Sequence, residues 1–160
     1  MSYAIVYSSR TGNTARLAKA LQEFLPEQDC VYVGAPDPQA LSADTLYVGF
    51  WTDKGTCDAE TAGFLPNLNG QSVFLFGTAG FGGDATYFAR ILDRVKALLP
   101  AGVTVRGTFM CQGKMPPAVR ARYETMAGSP QRTAMLENFD RALSHPDKED
   151  EKHLLAAVTA

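Results

Sequence analysis

The chain has 160 residues, 46% of them hydrophobic and 20% charged, with a formal net charge of −2 and a pI of about 5.6. That fits one soluble domain with a real core and gives no electrostatic case for binding nucleic acid or an anionic membrane. No apolar run is long enough to span a bilayer, and the N-terminus lacks the basic-then-apolar pattern of an export signal, so a cytoplasmic location is expected. Three cysteines, Cys30, Cys57 and Cys111, form no C-x-x-C pair and read as reduced thiols. The two histidines, His145 and His153, are not at a metal-ligand spacing, so no metal site is expected.

In chain order, Tyr3–Ser8 reads as a strand and Asn13–Phe24 repeats apolar residues at helical spacing until Pro26 stops it. Cys30–Val33 is a short strand, and 38–41 has room for one helical turn. Thr45–Phe50 is a third strand, after which Trp51–Asp58 reads as a polar loop. Asp58 is placed to cap a short helix ending before Pro66. Ser72–Phe76 is a strand, and its unbroken apolar run suits a parallel sheet covered on both faces. The glycine-rich stretch Gly77–Asp84 reads as a loop and Thr86–Leu99 as an amphipathic helix. Val103–Met110 is a fifth strand, interrupted by Gly107. Helices are expected over 117–126 and 132–143, and a charged tail, helical in part at 152–158, from His145 onward.

Strands alternating with helices predict an α/β fold: a doubly wound parallel sheet with helices on both faces. In such sheets ligands bind beyond the carboxyl ends of the strands, where the strand order reverses. Ser8–Thr14, Trp51–Asp58 and Gly77–Asp84 all end strands, and they are the most chemically unusual stretches of the chain. In the first, Ser9, Thr11 and Thr14 offer hydroxyl donors to a phosphate, Gly12 permits close backbone approach, and Asn13 opens a helix whose free N–H groups and dipole favour an anion. Arg10 either adds charge there or points to solvent. Trp51, the sole tryptophan, suits stacking on a flat ligand better than burial, because its indole N–H needs a partner. Phe81 covers a ligand, meets a partner or anchors its loop. Tyr87 either flanks a ligand ring or packs in the core, and its place on the apolar stripe favours the core.

With these residues the chain resembles the flavodoxin family, over roughly Tyr3 to Phe109. The carriers are Ser9, Thr11, Gly12, Asn13 and Thr14 in the phosphate loop, Trp51 in the second loop, and Gly77-Thr78-Ala79-Gly80-Phe81-Gly82-Gly83-Asp84 in the third. The segments Gly49-Phe50-Trp51, Phe76-Gly77-Thr78-Ala79-Gly80 and Cys111-Gln112-Gly113-Lys114-Met115 resemble a divergent group of small bacterial flavodoxin-like proteins. Thr52 follows Trp51 where many family members have glycine, and the segment 111–130 is longer than in the shortest members. The resemblance implies a five-stranded parallel sheet in the order 2-1-3-4-5. It also implies a flavodoxin-like domain over 1–145, with a tail or helix over 146–160.

The implied cofactor is flavin mononucleotide (FMN), held by Ser9, Arg10, Thr11, Gly12, Asn13, Thr14, Trp51, Thr52, Asp53, Gly55, Thr78, Ala79, Gly80, Phe81 and Tyr87. The implied function is a redox protein passing electrons to a partner enzyme. The alternatives are a small FMN-dependent reductase using a nicotinamide donor, and a flavodoxin fold that acts through protein contacts alone. A peptide within 52–55 is expected to flip on flavin reduction, with Gly55 the residue able to take positive φ. Lys114 and Met115 either touch a substrate or partner or belong to a connecting loop, the reading favoured by sequence alone.

Overall fold

The computed structural model describes residues 1–82 and 84–160; Gly83, in the third predicted loop, lies outside them. The strands are β1 (Tyr3–Tyr7), β2 (Cys30–Gly34), β3 (Thr45–Asp53), β4 (Thr56–Cys57), β5 (Ser72–Ala79) and β6 (Thr104–Gln112). The helices are α1 (Asn13–Phe24), α2 (Ala59–Phe64), α3 (Ala85–Lys96), α4 (Pro117–Glu124), α5 (Pro130–Ala142) and α6 (Lys148–Thr159). The parallel strands lie in the order β2-β1-β3-β5-β6, the predicted order 2-1-3-4-5 once β4 is set aside. β4 is an addition: it folds back antiparallel on the end of β3.

One core layer holds Leu46, Val48, Phe50 and Leu75 with Ile91 and Val95 of α3 and Phe64 of α2. The other holds Ile5, Phe74 and Phe76 with Leu17 and Leu21 of α1 and Leu154 of α6. Residues 148–159 thus form a helix that covers the sheet, with Leu154 fully buried. Between β2 and β3 only a short 3-10 segment, Pro38–Ser42, crosses over. No helix among the described residues is long and apolar enough to cross a membrane.

Three strands differ in extent from the sequence reading. β3 runs on through Trp51, Thr52 and Asp53 rather than stopping at Phe50, because Thr52 and Asp53 find ladder partners in Cys57 and Thr56. β5 continues through Gly77, Thr78 and Ala79 instead of opening into a loop after Phe76. Gly77 is tolerated in mid-strand because the Phe50 ring of β3 lies over it; a Cβ there would collide with that ring. The reciprocal pair stands one residue back, with the Phe76 ring over Gly49. In β6 the register skips Arg106, so Gly107 pairs with Phe74 and the strand continues past its glycine through a bulge.

Candidate functional site

At the carboxyl edge of the sheet a cleft of about 300 Å³ opens between the three loops. Of the phosphate-loop residues, Arg10, Thr11 and Asn13 line it, whereas Ser9 and Gly12 face a neighbouring shallow depression. Gly12 is the left-handed residue that starts α1, at φ 88°, and nothing lies within 4 Å of where a Cβ would stand, so the backbone there is open to a ligand. No side chain caps α1 at Gly12. Instead the Ser9 Oγ accepts a hydrogen bond of 3.2 Å from the Ala15 N–H in the first turn.

Thr14 is fully buried, and its hydroxyl is directed into the fold. It donates to the Phe50 carbonyl at 3.0 Å and lies 3.2 Å from the Thr78 Oγ1. In this arrangement it ties α1 to β3 and β5, while a ligand at the helix start meets its backbone N–H. Arg10 is exposed, and its guanidinium lies 5.5 Å from the centre of the Trp51 ring, a cation–π contact.

The second wall is the β3–β4 hairpin. Lys54 (φ 53°) and Gly55 (φ 83°) form its two-residue turn, both with positive φ as a type I′ turn requires. Rotating the peptide between them would convert the turn to type II′, which needs glycine where Lys54 stands. The Gly55 carbonyl accepts a 2.9 Å hydrogen bond from Arg94 Nη1 of α3. In this conformation the turn geometry and Arg94 hold both peptides flanking Gly55, so a flip there would have to break the Arg94 contact or place Lys54 in a conformation that favours glycine. Arg94→Ala is expected to loosen the hairpin by about 1 kcal/mol, read as roughly fivefold faster amide hydrogen exchange at Thr56 with little change in global stability. Unchanged exchange would remove the clamp.

Downstream of the turn, Asp58 is 1% exposed and gathers three donors: Trp51 N–H at 3.3 Å, Thr61 N–H at 3.1 Å and Thr61 Oγ1 at 2.9 Å. It caps α2 as the sequence indicates and also fixes the backbone of Trp51. Thr52 and Asp53 are half-buried on the cleft wall.

On the third wall Thr78 and Ala79 are buried at the end of β5, and Gly80 follows. The Gly80 carbonyl accepts from Gln112 Nε2 at 3.0 Å and from Asn138 Nδ2 at 3.1 Å, and Asn138 Oδ1 accepts from Gln112 Nε2 at 3.0 Å. Phe81 stands 42% exposed at the rim. Tyr87 packs against the core beside Phe88, the reading its place on the apolar stripe favoured, and presents part of its surface to the cleft.

A fourth wall is built by 113–123: the segment at Lys114 and Met115, for which the sequence reading favoured a connecting loop, and the start of the helix expected over 117–126. Met115 fills the space beside Gly80 where a Cβ would stand, and Val119, Arg122 and Tyr123 of α4 line the cleft. The Lys114 carbonyl accepts from Asn13 Nδ2 at 2.8 Å and from Thr11 Oγ1 at 3.3 Å, and its N–H donates to the His145 carbonyl at 3.0 Å. Gly113 leaves room for the Asn13 amide. Arg120 anchors α4 to α5 through Asp140, and Arg132 Nε of α5 donates to the Tyr123 carbonyl at 3.2 Å. The signal for this wall was positional: it follows the last strand at the same sheet edge as the other three loops.

Two polar atoms of the cleft residues, Asn13 Oδ1 and Thr52 Oγ1, are buried without a partner among the described residues. Elsewhere, the ligand atoms of His145, Asp147 and Asp150 lie within 4.8 Å of one another. They serve as the start of α6, where Asp147 and Asp150 form a capping box and His145 Nδ1 sits 2.7 Å from Asp150 Oδ2.

Burial pushes the Cys57 thiol from its ordinary 9.0 up to about 11, and it pushes Cys111 up further still. A thiol held protonated in the fold stabilises it fully below pH 9, and that contribution is lost as pH rises through about 11. The urea midpoint is therefore expected to fall between pH 8 and about 10.5. A disulfide reagent at pH 8 should label the half-buried Cys30 and spare the other two until the chain unfolds. Rapid labelling of Cys57 in the folded protein would contradict this.

A phosphate-ready helix start, an aromatic hairpin and a glycine-bearing turn at one edge of a 2-1-3-4-5 sheet define the flavodoxin-like class of α/β proteins. The family model described as flavodoxin domain matches residues 4–159, and this chain belongs to that family. It is 42% identical over 171 aligned positions to the flavodoxin-like domain-containing protein BilS of Clostridium symbiosum (strain WAL-14163), covering 94% of this chain and 90% of that one. Among solved structures, it is similar in fold to a short-chain flavodoxin associated with a non-canonical PDU bacterial microcompartment. That match has a TM-score of 0.53 and 18% identity, with 89% of this chain and 97% of that chain covered. A second is a flavoprotein in complex with FMN from Lactobacillus acidophilus NCFM, with a TM-score of 0.52 and 14% identity over 69% of this chain and 93% of that chain.

Proposed function

We propose that the protein binds FMN in this cleft and passes electrons to a partner protein. The observation that carries the reading is the pair of orphaned acceptors, Asn13 Oδ1 and Thr52 Oγ1, buried in the cleft residues without a partner among the described residues. A buried polar atom without a partner is costly, and the hydroxyls of a ribityl chain or the imide N–H of a flavin ring can supply the missing donors. The residues present fit the cofactor. The backbone N–H groups at the start of α1, with the Ser9 hydroxyl and with Thr11 once its hydroxyl leaves the Lys114 carbonyl, would hold the phosphate. Trp51 and Tyr87 would border the ring, and the end of β5 at Thr78 and Ala79, with Gly80 and Phe81 after it, would supply backbone groups to its edge. When bound, FMN supplies reversible electron uptake. The chain contributes binding, orientation and a wall that excludes water.

Arg10 has a defined part in this reading. It covers Trp51 and swings aside when a ring stacks there, so its guanidinium becomes available to the phosphate. Titrating FMN into the apoprotein is expected to quench the fluorescence of Trp51, the sole tryptophan, with one-to-one stoichiometry. Trp51→Ala should weaken binding by about tenfold, the worth of a lost aromatic stack. No binding at micromolar FMN would refute the reading. Oxidation of NADH by the loaded protein alone would convert it from an electron carrier to a reductase.

A further inference from the structure

The charge around the cleft is opposite in sign to that of the whole chain. Four of the fifteen cationic side chains line it, Arg10, Lys54, Lys114 and Arg122, against one of the seventeen carboxylates, Asp53. The rest of the molecule is correspondingly acidic. The four cations come from four separate elements: the loop after β1, the β3–β4 turn, the segment after β6, and α4. All four are exposed at the surface. Among the described residues, none of them enters a salt bridge, whereas Arg120, on the same helix as Arg122, is engaged by Asp140 and Glu124. Phe81 adds an exposed apolar side chain to this rim.

A bound phosphate accounts for Arg10, which belongs to the loop that would hold it. It leaves Lys54, Lys114 and Arg122 facing outward around an apolar residue. An apolar centre ringed by like charge is the layout of a protein docking surface, and the sign of the ring sets the sign of the partner.

We propose that the cleft rim formed by Lys54, Lys114, Arg122 and Phe81 is the docking surface for a redox partner that presents acidic side chains. The inference deepens the electron-carrier reading and rests on it. The cationic ring steers an acidic surface onto the one edge of the sheet where electrons would leave, while the acidic remainder of the molecule repels it elsewhere.

Two measurements decide it. The first uses FMN-loaded protein reduced with dithionite, with two ferricyanide ions each accepting one electron per flavin. The rate to this anionic oxidant should fall by about tenfold as ionic strength rises from about 20 to about 300 mM, while cationic hexaammineruthenium(III) shows no such fall. Lys114→Glu and Arg122→Glu should each slow the ferricyanide reaction several-fold at low salt, with rates referred to the flavin each variant holds. Lys19→Glu, an equal change of net charge on the exposed side of α1, should leave it within about twofold. Faster reaction with the cationic oxidant at low salt, or equal slowing by Lys19→Glu, overturns the proposal.

The second measurement uses the apoprotein and a hexaglutamate peptide. Its titration at low salt should shift backbone amides confined to 53–55, 80–82 and 113–123, and the shifts should vanish at about 300 mM salt. Shifts elsewhere, or none, overturn the proposal. A protein that takes up no FMN refutes the cofactor reading, and the peptide titration then still decides the surface.

Discussion

Phe50→Ala is expected to cost roughly 3–5 kcal/mol, a large part of the stability of a domain this size. Phe50 is fully buried, and its ring fills the space that Gly77 leaves on the neighbouring strand. The two residues face each other across the β3–β5 ladder. Their interdependence gives a sharper test than the single loss. Gly77→Ala alone should cost about 1–3 kcal/mol, because the new methyl group meets the ring. On a Phe50→Leu background the same methyl group enters vacated space. The double variant should therefore be more stable than the sum of the singles by roughly 1 kcal/mol or more. Urea unfolding of the four proteins measures this, and strict additivity would show that the ring does not cover the glycine. The consequence reaches the site, because the Phe50 carbonyl is the acceptor for Thr14 and Phe50 immediately precedes Trp51.

Asp58→Ala is expected to cost about 3 kcal/mol, combining a lost helix cap with buried donors left unpaired. The three donors are the N–H groups of Trp51 and Thr61 and the Thr61 hydroxyl. Asp58→Asn keeps one acceptor oxygen and should lose less than half as much. Because Trp51 is the sole tryptophan, its fluorescence reports the hairpin directly. The alanine variant should shift the emission and weaken FMN binding, while the asparagine variant retains most of both. A stable alanine variant with unchanged emission would show that Asp58 neither caps α2 nor positions Trp51. Chemical denaturation, emission spectra and FMN titration together separate a stability loss from a displaced tryptophan.

The sequence by itself determined the strands, the helices and the sheet edge that carries the candidate site, whereas the strand order came through the resemblance to the flavodoxin family. The β-former runs, the helix at Asn13–Phe24 and the stops at Pro26 and Pro66 are local properties, set by propensity and by backbone groups the chain cannot leave unpaired. Three unusual loops at strand ends then mark a candidate site, because a parallel sheet brings all its carboxyl ends to one edge. Gly12 was legible only as a point of close backbone approach; that it starts α1 in the left-handed region is a finding of the structure.

What the tertiary structure decided is what each side chain meets. Nothing in the residue types of Ser9, Thr11 and Thr14 separates the hydroxyl that turns inward to the Phe50 carbonyl from the ones left near the surface. The lengths of β3 and β5 depended on partners distant in sequence: Cys57 and Thr56 for one, the Phe50 ring over Gly77 for the other. Lys114 and Met115 became a wall because Asn13, Gly80 and His145 approach them from three other parts of the chain. The cationic rim arises in the same way. Its four charges are scattered singly through a chain of net acidic sign, and only folding gathers them at one edge, because contacts and fields depend on distance in space rather than along the chain.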